Sequence, residues 1–182
     1  MSLITGPTKL GLIVYLAFLA SLCLAVAPAA DRDPVDGVQA AISRLLRPVP
    51  RHRLRRDETA LRALSEDIVA TARKYRIDEY LLTAMAYCES TFRPTARGSL
   101  GERGLVQVGR GARQGCDLTT DRGQLECGAS WLRKGIERCG SLKGGLTAYA
   151  TGRCSVSPGT KAEWVVHRRL KMARELREKF GG

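Results

Sequence analysis

Residues 80–96, YLLTAMAYCESTFRPTA, contain an apolar helix that closes on a carboxylate, and this narrows what the chain can fold into. Leu82, Met85, Ala86 and Glu89 fall at i, i+3, i+4 and i+7, one stripe of a 3.6-residue period. Glu89 therefore points where the apolar residues point, into low dielectric. Pro94 and the glycines beyond it forbid a long continuation, so Glu89 also sits beside the partially negative end of its helix. Both effects disfavour the charged form and predict a raised pKa. That is how a carboxyl becomes a general acid near neutral pH. A Glu that bends out to solvent at a frayed helix end fits the helix alone just as well.

The other periodic segments are helical too. Asp57 can cap a helix in which Leu61, Leu64, Ile68, Ala72 and Tyr75 share a face, and Asp78 can cap the helix carrying Glu89. Thr91–Gly115 is too rich in glycine for regular structure and is expected to be loop. Asp121 followed by Gln124 resembles a capping box, opening a helix that buries Leu125, Ala129, Leu132 and Ile136. A short helix holds LTAYA. A last one starts near Thr160, with Ala162, Val166, Leu170, Ala173, Leu176 and Phe180 inward. No strand pattern or internal repeat is evident, so the expectation is an all-α domain over residues 57–182, its cleft lined by loops. Residues 30–56 carry RLLRPVPRHRLRR, with two prolines and no clean period, and read as an extended basic linker; Ala40–Leu46 is its one candidate helix.

The N-terminus sets the compartment. Lys9 precedes eighteen uncharged residues, Leu10 to Ala27, and then PAAD. Residues 1–29 read as a secretory signal cut after about Ala29 or Ala30, with an uncleaved membrane anchor as the alternative. Leu22 before Cys23 argues against a lipoprotein signal. Either way the remainder lies outside the cytoplasm, periplasmic or in the cell envelope.

Cysteine usage agrees with export. Besides Cys23 there are five: Cys88, Cys116, Cys127, Cys139 and Cys154. An odd count outside the cytoplasm implies two bridges and one free thiol. Cys88 shares a helix face with Leu81 and Ala84, which suggests a buried, inert thiol. The other four pair best locally, Cys116 with Cys127 and Cys139 with Cys154. Zinc is a weak competitor, because no CxxC occurs and His52 and His167 are far from the cysteines. No metal or cofactor is expected.

The formal net charge of +12 admits nucleic acid as a partner. Export and the lack of any recognition motif or stacking array argue against it. Anionic envelope polymers or lipid headgroups are better candidates for long-range attraction, beside a merely solvated basic surface.

Behind Glu89 stand ESTFRPTA, then GSLGERGLVQV, and further on LTAYATG. Glu89, Ser90, Phe92, Pro94 and Ala96 form the first block, Gly101, Gly104, Leu105 and Gln107 the second, and Ala148, Tyr149 and Gly152 the third. In order and spacing this series resembles the lytic transglycosylases of the lysozyme superfamily, the soluble transglycosylase domain akin to goose-type lysozyme. It departs from them at Ala150, where the family usually has Asn; Thr151 is a candidate replacement.

The resemblance implies a lysozyme-like helical domain that cleaves the β-1,4 bond between N-acetylmuramic acid and N-acetylglucosamine in peptidoglycan. It implies one Glu in two roles. Glu89 would protonate the leaving oxygen, the substrate's N-acetyl group would stabilise the anomeric carbon, and the carboxylate would then take the C6 hydroxyl proton, leaving a 1,6-anhydro end. Substrate contacts are expected from Ser90, Gln107, Tyr149 and Thr151. Tyr149 is also placed to wall the cleft and orient Glu89, or is simply a core tyrosine. Phe92 is expected to pack, and Trp131 and Trp164 default to core. Glu102 is the best second carboxylate, ahead of Asp117 and Asp121, although exposed charge explains all three. A hydrolytic muramidase of the same fold is the nearest rival. A catalytically idle glycan-binding or assembly protein is the rival from another class. A monomer is expected.

Overall fold

The computed structural model describes residues 33–182, so the expected signal or anchor segment and Cys23 lie outside the described residues. Among the described residues six α-helices follow one another: α1 (Pro34–Leu45), α2 (Glu58–Tyr75), α3 (Glu79–Ser90), α4 (Asp121–Cys139), α5 (Leu142–Thr151) and α6 (Lys161–Phe180). Among the described residues there is no strand; the loop after α3 has isolated antiparallel bridges at Arg97–Arg103 and Arg103–Val108. No helix of the described residues is long and apolar enough to cross a membrane.

Each helix starts on a short polar side chain that accepts a bond from an otherwise orphaned backbone N–H. Asp57 accepts from Ala60 at 2.8 Å and Asp78 from Leu81 at 2.7 Å. At α4 the cap is Thr120, bonded to Gly123 at 3.0 Å, one residue before the expected Asp121. Gln124 is therefore freed from a capping box. It is buried, accepting from Leu105 N–H at 2.8 Å and donating to the Leu118 carbonyl at 3.0 Å, and so ties the glycine-rich loop to α4. Gly104, at φ +82°, makes room for it: a Cβ there would lie 2.3 Å from the Gln124 Oε1.

α3 is the central element. Tyr80 through Ala86 are all buried, so the two turns that follow Glu79 have no solvent face. Leu82 and Ala86 join one apolar cluster with α1, α2 and the loop residues Leu105, Val106 and Val108. Leu81, Ala84 and Met85 join another with Ala129, Leu132, Leu146, Val166 and Ala173. α4 and α5 pack most closely, where a Cβ on Gly145 would come within 2.8 Å of the Ile136 backbone nitrogen.

The segment expected as an extended basic linker is folded. Val38, Ala41, Ile42 and Leu46 of and beyond α1 are buried, as is Leu54 in a 3-10 turn at Arg53–Arg55. These residues fall at helical spacing, and that apolar stripe outweighs the arginines, which remain outside. His52 is buried as well. Its Nδ1 accepts from Leu54 N–H at 3.3 Å and its Nε2 lies 2.9 Å from the Thr91 carbonyl, the cap of α3. The neutral Nε2–H tautomer satisfies both.

Two disulfides join Cys116 to Cys127 and Cys139 to Cys154, the local pairings, and Cys88 is a free thiol, pushed up in pKa by burial. Trp131 and Trp164, expected in the core, are on the surface at 40% and 59% exposure.

Candidate active site

α3 stops at Ser90 because Thr91 and Phe92 both take positive φ, 54° and 55°. Such backbone costs non-glycine residues energy unless its surroundings fix it. Here they do. Phe92 is buried against Tyr87, with ring centroids 5.9 Å apart, and Ser90 clamps the helix end to the loop. The Ser90 hydroxyl donates to the Leu105 carbonyl at 2.7 Å and accepts from Arg93 N–H at 3.0 Å. It is buried, its hydroxyl is engaged by backbone, and it is not among the residues lining the cleft beside Glu89.

The same stop leaves the last turn of α3 emerging from the core with Glu89 at a cleft wall. A cavity of about 620 Å³ opens there, with Glu89, Glu102, Gln107, Tyr149, Ala150 and Arg169 among its lining residues. Gln107, Gly109 and Tyr149 also line a second hollow of about 360 Å³, whose far side includes Trp131, Lys134 and Arg138. The two hollows adjoin along the glycine-rich loop. Trp131 donates its indole N–H to the Ala112 carbonyl at 2.6 Å, which fixes an exposed ring beside the cleft.

The Glu89 side chain is only 19% exposed. Burial pushes its carboxyl above the usual carboxylate range, opposed by Arg169 and reinforced by Glu102. Arg169, on α6, bonds Glu89 Oε1 through Nη2. Its guanidinium also sits over the Tyr149 ring, 5.9 Å from the centroid. Tyr149 donates its hydroxyl to the Val106 carbonyl at 2.6 Å and not to Glu89. Burial drives the tyrosine's own pKa well above the ordinary value.

Gln107, at φ 48°, donates through Nε2 to the Ala96 and Gly104 carbonyls at 3.2 and 2.9 Å. Glu102 lines the cleft but accepts from Leu100 N–H at 3.0 Å. Thr151 does not join the group. Its hydroxyl bonds the Thr147 carbonyl at 2.8 Å, and it lines a neighbouring hollow with Arg153 and Ser157 that meets the cleft at Ala162. Asp117 accepts bonds from Thr119 and Thr120 in the loop, and Asp121 faces Arg53 at 3.6 Å; neither lines either part of the cleft. Among the described residues no group of side chains could hold a metal ion.

Sequence reasoning missed Arg169. It falls three residues after Val166 and four before Ala173, both buried. A charge in an apolar stripe is the signal that singles out Glu89, and it was there to be read on α6.

An all-helical domain with a half-buried carboxyl at a loop-lined cleft is the architecture of a lysozyme-like glycan-cleaving domain. The chain belongs to the transglycosylase SLT domain family, whose model matches residues 67–163, just over half of its length; the match takes in α3, the glycine-rich loop, α4 and α5 but stops at the start of α6, before Arg169. No curated protein matches it.

Proposed function

We propose that this protein is a peptidoglycan lytic transglycosylase acting outside the cytoplasm, with Glu89 as its single general acid and base. The observation that carries this reading is the Glu89 carboxyl, held half-buried at the cleft wall with its pKa raised. A protonated carboxyl there is suited to deliver a proton to the glycosidic oxygen as positive charge develops at the anomeric carbon. The substrate's N-acetyl group takes the place of a protein nucleophile. Glu89, now a carboxylate beside Arg169, then removes the C6 hydroxyl proton and the 1,6-anhydro ring closes.

Holding that hydroxyl in place gives it an effective molarity that can reach about 10⁵ M or more, which outcompetes water. Gln107 and Tyr149 line the same cavity, so both are suited to shape the sugar subsite; the Gln107 amide nitrogen is occupied by the loop, which leaves its carbonyl oxygen for a ligand. The apolar run from Leu10 to Ala27 supports export to the envelope where the glycan lies.

Glu102 in the same cleft is the observation that favours a second reading, a hydrolytic muramidase in which Glu102 helps position water. The test of the first is Glu89→Gln. It keeps the shape and removes the proton, so release of muropeptides from purified sacculi should fall on the order of 10²–10⁴-fold or more with an unchanged circular dichroism spectrum. Release at the wild-type rate would remove Glu89 from the mechanism.

A further inference from the structure

Arg169 is a poor device for stability. Its side chain is 5% exposed, and its Nε and Nη1 have no hydrogen-bond partner among the described residues. A buried guanidinium that leaves donors unpaired loses more hydration than one ion pair returns, and an aliphatic residue between Val166 and Ala173 would pack the same face without that cost. What the arginine gains is a fixed place for Glu89.

We propose that Arg169 is a positioning residue: its Nη2–H holds one oxygen of the Glu89 carboxyl at the cleft wall while the Tyr149 ring supports the guanidinium from behind. This rests on the reading of Glu89 as the acid. Tyr149 is itself anchored to the loop through Val106, so three elements lock one rotamer: α3 supplies the carboxyl, α6 the fork and α5 the platform. With one oxygen occupied, the other carries the proton toward the glycosidic oxygen. A general acid is effective only when held near its productive geometry, and small displacements cost rate steeply.

The arrangement also has an electrostatic consequence. The charged or titratable groups facing Glu89 are Arg169 from α6, Glu102 from the loop, Tyr149 from α5 and Cys88 on its own helix, with Lys161 on the cleft rim. Of those that act on Glu89, Arg169 favours the carboxylate and Glu102 the acid. Arg169 therefore eases proton donation in the first step and weakens the base in the second. Without it the carboxyl holds its proton to higher pH, and the alkaline limb of the rate profile should move up.

The experiment measures sacculus solubilisation against pH for the wild-type chain, Arg169→Met, Arg169→Lys and Glu89→Gln. Arg169→Met should lose about ten- to a hundredfold at the optimum, with its alkaline limb displaced to higher pH, and Arg169→Lys should recover part of the rate. A wild-type rate and profile for Arg169→Met, alongside an inactive Glu89→Gln, would overturn the proposal and leave Glu89 in place. Wild-type turnover by Glu89→Gln would instead defeat the reading on which it rests. If Arg169→Met does not fold, Arg169→Gln is used with a ¹³C titration of the Glu89 carboxyl. An upward shift relative to wild type supports the proposal, and an unmoved titration overturns it.

Discussion

Ser90 follows the proposed acid directly, and its hydroxyl joins the end of α3 to the loop that forms the opposite wall. Replacing it with Ala removes the bond to the Leu105 carbonyl and strands the Arg93 N–H that it accepts. Losing a partner for a buried polar group costs about 1–3 kcal/mol. Ser90→Ala should therefore lower the unfolding free energy by that amount, seen as a lower denaturant midpoint at unchanged slope, while turnover per folded molecule falls far less than in Glu89→Gln. An unchanged midpoint would mean that the latch contributes nothing. Much of the site was legible at this scale, because the blocks around Glu89, Gln107 and Tyr149 name residues that do line one cleft. The surroundings of Ser90 and Thr151 were not, because hydroxyls satisfied by nearby backbone look the same in sequence as hydroxyls offered to a ligand. Arg169 was missed because its partner lies 80 residues away.

Among the elements, the region before α2 was read least well. Prolines and arginines suggested an extended linker, yet Val38, Ala41 and Ile42 form a helical stripe that buries against α2 and α3. The tryptophans were misplaced for a related reason: a large ring counts as core by composition, whereas Trp131 lies one residue off the buried line of Leu125, Ala129 and Leu132. α2 through α6 were legible because caps and apolar periods agree along them. The folded N-terminal segment also introduces a titration. Burial holds His52 below its ordinary value of 6.5, outweighing its bond to the Thr91 carbonyl. The unfolded chain then binds a proton that the folded one refuses, so this stability is present above about pH 6.5 and is lost as the pH falls through the folded pKa. Melting temperature should drop between about pH 7.5 and 5, and the drop should be smaller in His52→Gln, which lacks the titrating ring. Equal slopes for the two proteins would show that His52 does not protonate against the fold.

For the whole molecule, a net charge of +12 would favour long-range attraction to any anionic polymer, whereas the proposed chemistry rests on the cleft. One carboxyl, a cationic partner holding it, and a second carboxylate already engaged by the loop together favour an internal hydroxyl over water as the acceptor. That is the claim on which the account depends, and the products record it directly. Purified sacculi digested with the wild-type chain should release muropeptides that end mainly in 1,6-anhydro-N-acetylmuramic acid, one water lighter than the hydrolytic product and inert to borohydride. A digest dominated by reducing ends would contradict the single-carboxylate mechanism and make Glu102 the partner of Glu89.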